Sequence, residues 1–309
     1  MLGEGAKLIL ASDWSYSPYT YIYPDLFPGQ QFVIVSLPYS EAGHVLGLPL
    51  AGHELGHNVW AADGLANEFT HQIAITINEL LNGDFRDLYD EYQSGKAATQ
   101  HAADDLFASG EPWLDSLRYS IKQCEELFCD FFGIAIFGES YLSSFEYLTA
   151  PWSFERVPEY PSMAERIAAQ AQCAKSLGLR IPEYYDRSGL TAHVEADVIL
   201  QIADVATRRQ IAKLIDSAKS IISQRLPSHQ TINETDRIAA CFKVGRPATS
   251  TLTVSDVLNA AWQCVNLEES GIDNLSLINE LTLKTLEVQE IETIQREATA
   301  CSTQQKLLN

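Results

Sequence analysis

Two histidines and a glutamate stand together in the stretch HELGH, residues 53–57 of the chain. If this stretch is helical, His53 and His57 share one face and direct two imidazoles to a single point. Zinc binds neutral imidazole nitrogens, and Glu54 is placed to accept a proton from a water molecule beside them. The spacing predicts zinc ligands at His53 and His57 and a general base at Glu54. The alternative is a helix that merely contains two histidines.

A catalytic zinc ion needs a third protein ligand, and the stretch CEELFCDFFG offers two glutamates for it. Glu126 has Asp130 four residues later, on the same helical face. One carboxylate can then bind the metal while the other accepts the N–H of a ligating histidine. Glu125 is the competing ligand, but its neighbour at that spacing is Cys129. We therefore expect Glu126 to bind the metal and Asp130 to orient a histidine.

Asp63 is a further candidate for the third ligand, six residues after His57. Metzincin-type enzymes use that position, but they need a glycine three residues after the second histidine so that the chain can turn. Trp60 stands there in this chain. We expect the helix to continue and Asp63 to face away from the metal.

The two motifs together resemble the gluzincin branch of the zinc metallopeptidases. HELGH followed later by E-x-x-x-D is similar to the arrangement in thermolysin-like enzymes, in the membrane CAAX-processing peptidases and in the repressor-cleaving peptidases of mobile elements. The resemblance implies His53, His57 and Glu126 as zinc ligands, Glu54 as general base and Asp130 as partner of a histidine. It covers only these two short motifs, and the gap between them is wider than in thermolysin-like enzymes.

A hydrolytic site also needs a donor that stabilises the developing oxyanion. The stretch YPSMAERI, residues 160–167, is similar to the H-P-x-x-x-x-R-I stretch of some of these peptidases, with a tyrosine replacing the histidine. Among the candidates we single out Tyr160 and His193 as transition-state stabilisers. The full set of candidates is Tyr160, Arg166, Tyr184, Tyr185 and His193.

The elements that must position these residues form a small sheet followed by helices. KLILAS (7–12) and QFVIVSLP (31–38) are rich in β-branched and apolar residues, as is typical of strands. From about residue 48 onward the apolar pattern is helical. The predicted fold class is α+β and predominantly α-helical, with a zincin-like N-terminal core and a small N-terminal sheet followed by a helical C-terminal half. We divide the chain into a metallopeptidase domain, residues 1–150, and a helical region packed on it, residues 151–309.

Several helices can be placed by periodicity and by end signals. The helix that carries HELGH begins near Pro49 and ends at Gly64, and the clearest helix runs from Pro112 to about Gly138. In the zincin fold an edge strand before the HExxH helix binds substrate as an added strand, and QFVIVSLP is a candidate for that role alongside an ordinary core strand. Further helices are expected after residue 161, near 162–178, 192–224, 252–268 and 275–300.

Charge and composition limit the partners. The net charge is −20, and residues 1–150 contain 5 Lys and Arg against 21 Asp and Glu. Such an acidic half should repel nucleic acid, and we expect neither a nucleic acid nor a membrane partner. The expected partner is a peptide or protein substrate. The amphipathic C-terminal helix could also bind a helical partner, although core packing is its favoured role.

The pattern of cysteines is typical of a protein in a reducing compartment. None of the six forms a C-x-x-C pair, and their surroundings are apolar or helical. Together with the lack of a secretory signal pattern, this predicts a cytoplasmic protein. The favoured function is a zinc-dependent peptidase. A regulatory or interaction protein on the same scaffold is the main alternative, and hydrolysis of a non-peptide amide is a third.

Overall fold

The fold follows from a computed structural model of the chain. It describes residues 7–13, 19–27, 30–38, 43–100, 112–149, 156–182, 185, 197–225, 232–249, 253–267 and 272–307. Within these ranges the fold is α+β and predominantly helical, with a small three-stranded sheet at the N-terminal end. The predicted α+β, predominantly helical class with a small N-terminal sheet is confirmed, and the zincin-like core remains a prediction.

The sheet contains β1 (Lys7–Asp13), β2 (Tyr19–Phe27) and β3 (Gln30–Pro38), in the order β1-β3-β2. β3 pairs with β1 in parallel and with β2 antiparallel. Of the two alternatives for QFVIVSLP, the structure supports the ordinary core strand and not the edge strand, because β3 is hydrogen-bonded on both sides. The edge alternative did not take β2 into account. The Pro and Asp residues of β2 are typical of loops, although its tyrosines and isoleucine fit a strand.

Eleven α-helices follow in the described part of the chain, after a 3-10 turn at Val45–Leu50. The helices in chain order are α1 (Ala51–Ala62), α2 (Leu65–Asn82), α3 (Arg86–Gln100), α4 (Pro112–Phe137), α5 (Glu139–Thr149), α6 (Met163–Ser176), α7 (Val198–Arg208), α8 (Ile211–Arg225), α9 (Ile232–Lys243), α10 (Val254–Leu267) and α11 (Ile272–Leu307).

Helix α1 is bounded as the sequence predicts. Pro49 lies in the 3-10 turn just before the helix, and Gly64 follows its end with a left-handed φ of 67°. The predicted helix over 192–224 is instead two helices, α7 and α8, separated at Arg209 and Gln210. Helices α5 and α9 were not predicted, because aromatic and polar residues obscure the helical period in both.

Helix α4 is the centre of the molecule, and α1 lies directly against it. A Cβ atom on Gly52 would lie 2.8 Å from the Cα of Gly133, and one on Gly56 would lie 2.7 Å from the Cα of Cys129. The two glycines on α1 thus allow the two backbones to touch. This close crossing brings the histidines of α1 next to the carboxylates of α4.

The largest hydrophobic cluster includes residues from both halves of the chain. Phe128 and Phe131 of α4 belong to it together with Ile202 of α7 and Leu214 of α8. The proposed boundary near residue 150 therefore falls inside one continuous core, and the two-part division remains a prediction. A second cluster joins α9, α10 and the first half of α11 to Leu46.

Helix α11 packs on this second cluster through Ile278 and Leu281, while Ile291 and Ile294 further along are more than half exposed. Its first half has the predicted core-packing role. No helix within the described ranges combines the length and apolar character needed to cross a membrane.

Candidate metal centre

The two histidines of α1 direct their outer ring nitrogens at one carboxylate on α4. The Nε2 atom of His53 lies 3.3 Å from Oε2 of Glu126, and the Nε2 atom of His57 lies 3.8 Å from Oε1. The two rings meet edge to face, with centroids 4.9 Å apart. Three donor groups of the kind that zinc binds are therefore brought together, and these are the three predicted from the sequence.

Each histidine is held from behind by its own carboxylate. The Nδ1 atom of His53 donates to Asp130 at 2.8 Å, and that of His57 donates to Glu125 at 3.0 Å. Because an ionised carboxylate only accepts hydrogen bonds, each Nδ1 must carry a hydrogen. In the neutral ring the free lone pair then resides on Nε2, on the side of Glu126, as a metal ligand requires.

Asp130 is fully buried and is surrounded by donors. Besides His53, it accepts hydrogen bonds from the Tyr141 hydroxyl at 2.7 Å and from Gln170 Nε2 at 2.7 Å. Arg166 binds both oxygens, with Nε 2.6 Å from Oδ2 and Nη2 2.7 Å from Oδ1. This bidentate pair offsets the cost of burying the carboxylate charge and fixes its orientation toward His53.

The charges in the cluster are tightly coupled. Burial alone would raise the pKa of Asp130, but Arg166 and His53 outweigh it and hold that pKa well below its usual value. Burial alone would lower the pKa of His53, yet its hydrogen bonds to Asp130 and Glu126 raise it to about 10. For Glu126, burial opposes ionisation, but His53 and Arg166 lower the pKa overall. In the metal-free protein His53 is thus a cation between two carboxylates.

Glu54 lies beside this cluster without joining the ion pairs. It is in the first turn of α1, next to His53 in the chain, and is 5% exposed. Burial raises the pKa of Glu54, and the neighbouring histidines only partly offset this effect. A carboxyl group with a raised pKa next to metal donors is suited to exchange protons with a water molecule or a leaving group.

The same helix segment is tied to the sheet just after Glu54. Asn58 Nδ2 donates to the Glu54 carbonyl at 3.0 Å and to the Thr20 hydroxyl of β2 at 3.0 Å. The edge strand next to the cluster is therefore β2. This contact fixes β2 on the side of α1 that carries the general-base candidate.

Cys129 was not considered as a ligand in the sequence analysis, and the structure places it next to the histidines. Its thiol sulfur and a ring nitrogen from each of His53 and His57 lie within 4.8 Å of one another. Burial raises the pKa of this thiol well above its ordinary value, and the charge of Glu126 adds to that effect. Cys129 is hence a neutral thiol in the metal-free protein, in contrast to the ionised Glu126.

No protein-family model, curated protein or solved structure matches this chain. What the cluster can do chemically follows from its own atoms. It offers two oriented imidazoles, an ionised carboxylate, a neighbouring thiol and a buried acid. That set fits a transition-metal ion, and the nitrogen and oxygen donors fit zinc.

The residues considered as oxyanion donors have different environments in the structure. Arg166 is engaged with Asp130 and its Nη2 is 3.9 Å from Glu126, so it neutralises the carboxylates instead of being free for substrate. The Tyr185 hydroxyl is buried and donates to Gln170. Tyr160 is 44% exposed. Tyr184 and His193 lie outside the described residues.

Asp63, the alternative ligand after HELGH, lies at the end of α1 and accepts two hydrogen bonds of 2.7 Å from Arg225. It belongs to a separate ion pair, as the continuous helix through Trp60 implies.

Sequence reasoning missed three partners of the histidines and of Asp130. Glu125 was weighed only as a ligand, although a residue adjacent to Glu126 on α4 can reach the second histidine. Tyr141 and Gln170 come from α5 and α6, whose packing against α4 no local spacing encodes. The sequence does contain one local signal for the position of Arg166. Ser162 and Glu165 form a capping box that begins α6 and so places Arg166 in its first turn.

Proposed function

We propose that this protein is a zinc-dependent hydrolase, and specifically a metallopeptidase. The observation that carries the proposal is the orientation of the two imidazoles. Both Nδ1 atoms are held by carboxylates, and both Nε2 atoms face Glu126. An arrangement in which every histidine has an acidic partner behind it is the usual environment of a metal-ligating histidine. A helix that merely contained two histidines would have no need of it.

The residues have distinct roles in this proposal. His53, His57 and Glu126 would hold the ion, and Glu125 and Asp130 would keep the imidazoles in the required tautomer. A bound zinc ion supplies Lewis acidity, which lowers the pKa of water and polarises a carbonyl group. Glu54 accepts the proton of the attacking water and passes it to the leaving amine. Its raised pKa makes it a stronger base for the first of these transfers.

Glu126 is favoured over Cys129 as the third ligand for two reasons. Its carboxylate oxygens lie against the Nε2 atoms, which are the ring nitrogens left free for a metal. It is also already ionised, whereas the buried Cys129 thiol must first lose a proton.

A peptide substrate is favoured over other amides because a strand edge lies beside the cluster. With β3 paired on both sides, the edge role passes to β2, which Asn58 connects to the helix that carries Glu54. An extended peptide could add to β2 and present a carbonyl group to the cluster. Tyr160 is the remaining described candidate for an oxyanion donor.

The proximity of Cys129 also favours a second candidate function, a regulatory or interaction protein without hydrolytic activity. Two histidines, Glu126 and Cys129 could surround an ion completely, and a zinc site with four protein ligands is structural. In that case the exposed part of α11 around Ile291 and Ile294 is the candidate surface for a helical partner.

We place the hydrolase in the cytoplasm. In the described part of the chain, five cysteines form no disulfide: Cys124, Cys129, Cys173, Cys241 and Cys264. Free buried thiols are usual in a reducing compartment.

Metal content tests the proposal directly. Purified wild type should contain close to stoichiometric zinc, Glu126→Ala should lose most of it, and Glu79→Ala should retain it, since Glu79 on α2 lies in an exposed ion pair with Arg209. Zinc retained in Glu126→Ala would transfer the third-ligand role to Cys129 or Glu125. A wild-type protein that does not bind zinc would overturn the hydrolase proposal.

A further inference from the structure

The short turn between Arg156 and Ser162 is held by hydrogen bonds to its backbone. The Tyr160 N–H donates to the Val157 carbonyl at 3.1 Å, which closes the turn. Gln123 of α4 donates to the Pro158 carbonyl at 2.9 Å. The Arg156 guanidinium donates to the Tyr160 carbonyl from within the same turn. The backbone on both sides of Tyr160 is therefore held by side chains.

Asp204 of α7 joins these contacts into one network. It accepts from the Arg156 guanidinium and, at 2.9 Å, from Gln123 Nε2. Gln123 in turn accepts a hydrogen bond of 2.8 Å from the Thr207 hydroxyl. The side chains of Arg156 and Asp204 are only 11% and 14% exposed, so this ion pair is not a surface contact of small effect.

The turn that carries Tyr160 is bound on one side by α4, because Gln123, three residues before Glu126, donates to the Pro158 carbonyl. The charge of Glu126, together with burial and with Glu54, raises the pKa of the Tyr160 hydroxyl. Two residues later, Ser162 caps α6, the helix whose Arg166 binds Asp130. The turn thus borders the cluster on the side of α6, with a phenol that is partly open to solvent.

We propose that Arg156 and Asp204 are positioning residues that hold Tyr160 at the border of the metal centre, where its hydroxyl can donate to a bound substrate. The contact between Tyr160 and a substrate rests on the proposed function. The placement itself depends only on the contacts of the turn. Arg156 is suited to the task because a guanidinium can bind a carbonyl and a carboxylate at once, which an ammonium group does less well.

The same network makes the position of Tyr160 sensitive to pH. Burial raises the pKa of Asp204 to about 6, although Arg156 and Gln123 partly oppose it and Glu165 of α6 adds to it. Glu165 is itself paired with Arg208 of α7. Below that pH Asp204 is neutral, Arg156 loses its ionic partner, and the turn is held less firmly.

Tyrosine ring NMR with cobalt tests this placement. The protein carries ¹³C-labelled tyrosine, and the Tyr160 signal is identified by its loss in Tyr160→Phe. Co²⁺ broadens nearby signals with a steep dependence on distance. The compared proteins are wild type, Arg156→Ala, Arg156→Lys, Asp204→Asn and a control, Arg208→Ala, which removes the more exposed α7–α6 ion pair. Thermal melting verifies that each variant is folded.

In wild type and Arg208→Ala we expect one equivalent of Co²⁺ to broaden the Tyr160 signal strongly. In folded Arg156→Ala, Arg156→Lys and Asp204→Asn the broadening should be lost while Co²⁺ still binds. Equal broadening in all variants, or no broadening in wild type with Co²⁺ bound, overturns the inference.

Failure of Co²⁺ to bind would instead contradict the proposed metal centre. In that case the position of Tyr160 is tested by comparing spectra of the metal-free proteins. A Tyr160 shift that moves toward the solvent value in Arg156→Ala and Asp204→Asn supports it, and unchanged spectra overturn it.

Discussion

Arg166 and Asp130 form a bidentate ion pair in the interior, with Nε 2.6 Å from Oδ2 and Nη2 2.7 Å from Oδ1. Asp130 also orients His53, so this pair connects the stability of the fold to the metal centre. Removal of the carboxylate would leave the guanidinium buried without its partner. Such a charge is far more costly than a missing surface pair.

We therefore expect Asp130→Ala to lower the free energy of unfolding of the metal-free protein by about 3–5 kcal/mol in urea titrations. The control is Asp115→Ala on the same helix, whose partner Arg118 is exposed, and its effect should be below about 1 kcal/mol. Similar losses in the two variants would contradict the assigned importance of the Arg166 pair.

Glu54→Gln separates metal binding from hydrolysis. The variant should bind zinc as wild type does, because Glu54 is not a ligand in the proposed centre and takes no part in the ion pairs that join His53 and His57 to Glu126. Loss of a general base should reduce hydrolysis of a quenched-fluorescent peptide library by about 10²–10⁴-fold. Glu79→Gln is the matched control. A Glu54→Gln protein with undiminished hydrolysis would end the peptidase proposal.

Cobalt spectroscopy distinguishes Glu126 from Cys129 as a donor. A Co²⁺–thiolate bond gives an intense near-ultraviolet charge-transfer band, which nitrogen and oxygen ligands do not give. With Glu126 as the third ligand, wild type and Cys129→Ser should have the same spectrum without this band. A band in wild type that disappears in Cys129→Ser would assign the thiol to the metal and favour the non-catalytic alternative.

Zinc binding should release protons at neutral pH. His53 has a pKa raised to about 10 in the metal-free protein, and it must be neutral to bind a metal. We expect release of about one proton at pH 7 from His53, measured by calorimetry in buffers of different ionisation enthalpy. Asp130→Asn should release less, because the pKa of His53 is then lower. Proton release independent of this substitution would contradict the described coupling.

The raised pKa of His53 also makes the stability of the metal-free protein depend on pH. The folded pKa of His53 lies above its ordinary value of 6.5. The free energy of unfolding that protonated His53 contributes is therefore complete below about pH 6.5, and it is lost as the pH rises toward 10.

Gly56→Ala tests the close crossing of α1 and α4. The new Cβ would lie 2.7 Å from the Cα of Cys129, so the helices must separate. We expect a loss of about 1–3 kcal/mol in unfolding free energy and weaker zinc binding, since the ligands come from both helices. Gly95→Ala on α3, where nothing lies within 4 Å of the added atom, should instead stabilise by about 0.5–1 kcal/mol. Zinc affinity unchanged in Gly56→Ala would indicate that the crossing does not set the site.

The local parts of this architecture could be predicted from the sequence. HELGH lies on a helix with the expected bounds, and Glu126 and Asp130 share a face of α4, because both follow from the 3.6-residue period. Contacts between distant segments could not be predicted. Arg166 was one of five candidates for an oxyanion donor and is bound to Asp130, a contact that could not be foreseen because nothing in its own stretch encodes the distance to α4.

The sheet shows the same limit. β1 and β3 were identified by their composition, but the order of strands depends on β2, which was not recognised. The sequence therefore left open whether QFVIVSLP is an edge strand or a core strand, and the structure shows it in the centre of the sheet. Pairing between strands is a non-local property that alternation along one strand does not determine.

The position of Arg166 also bears on how such a protein could arise or be shortened. The HELGH and E-x-x-x-D motifs both lie before residue 131, whereas the cation that neutralises Asp130 comes from the other side of residue 150. A gene fragment that ended between them would keep the visible signature and encode a site with an unbalanced acidic interior. The second half of the chain therefore supplies the positive charge on which the buried carboxylate of the first half depends.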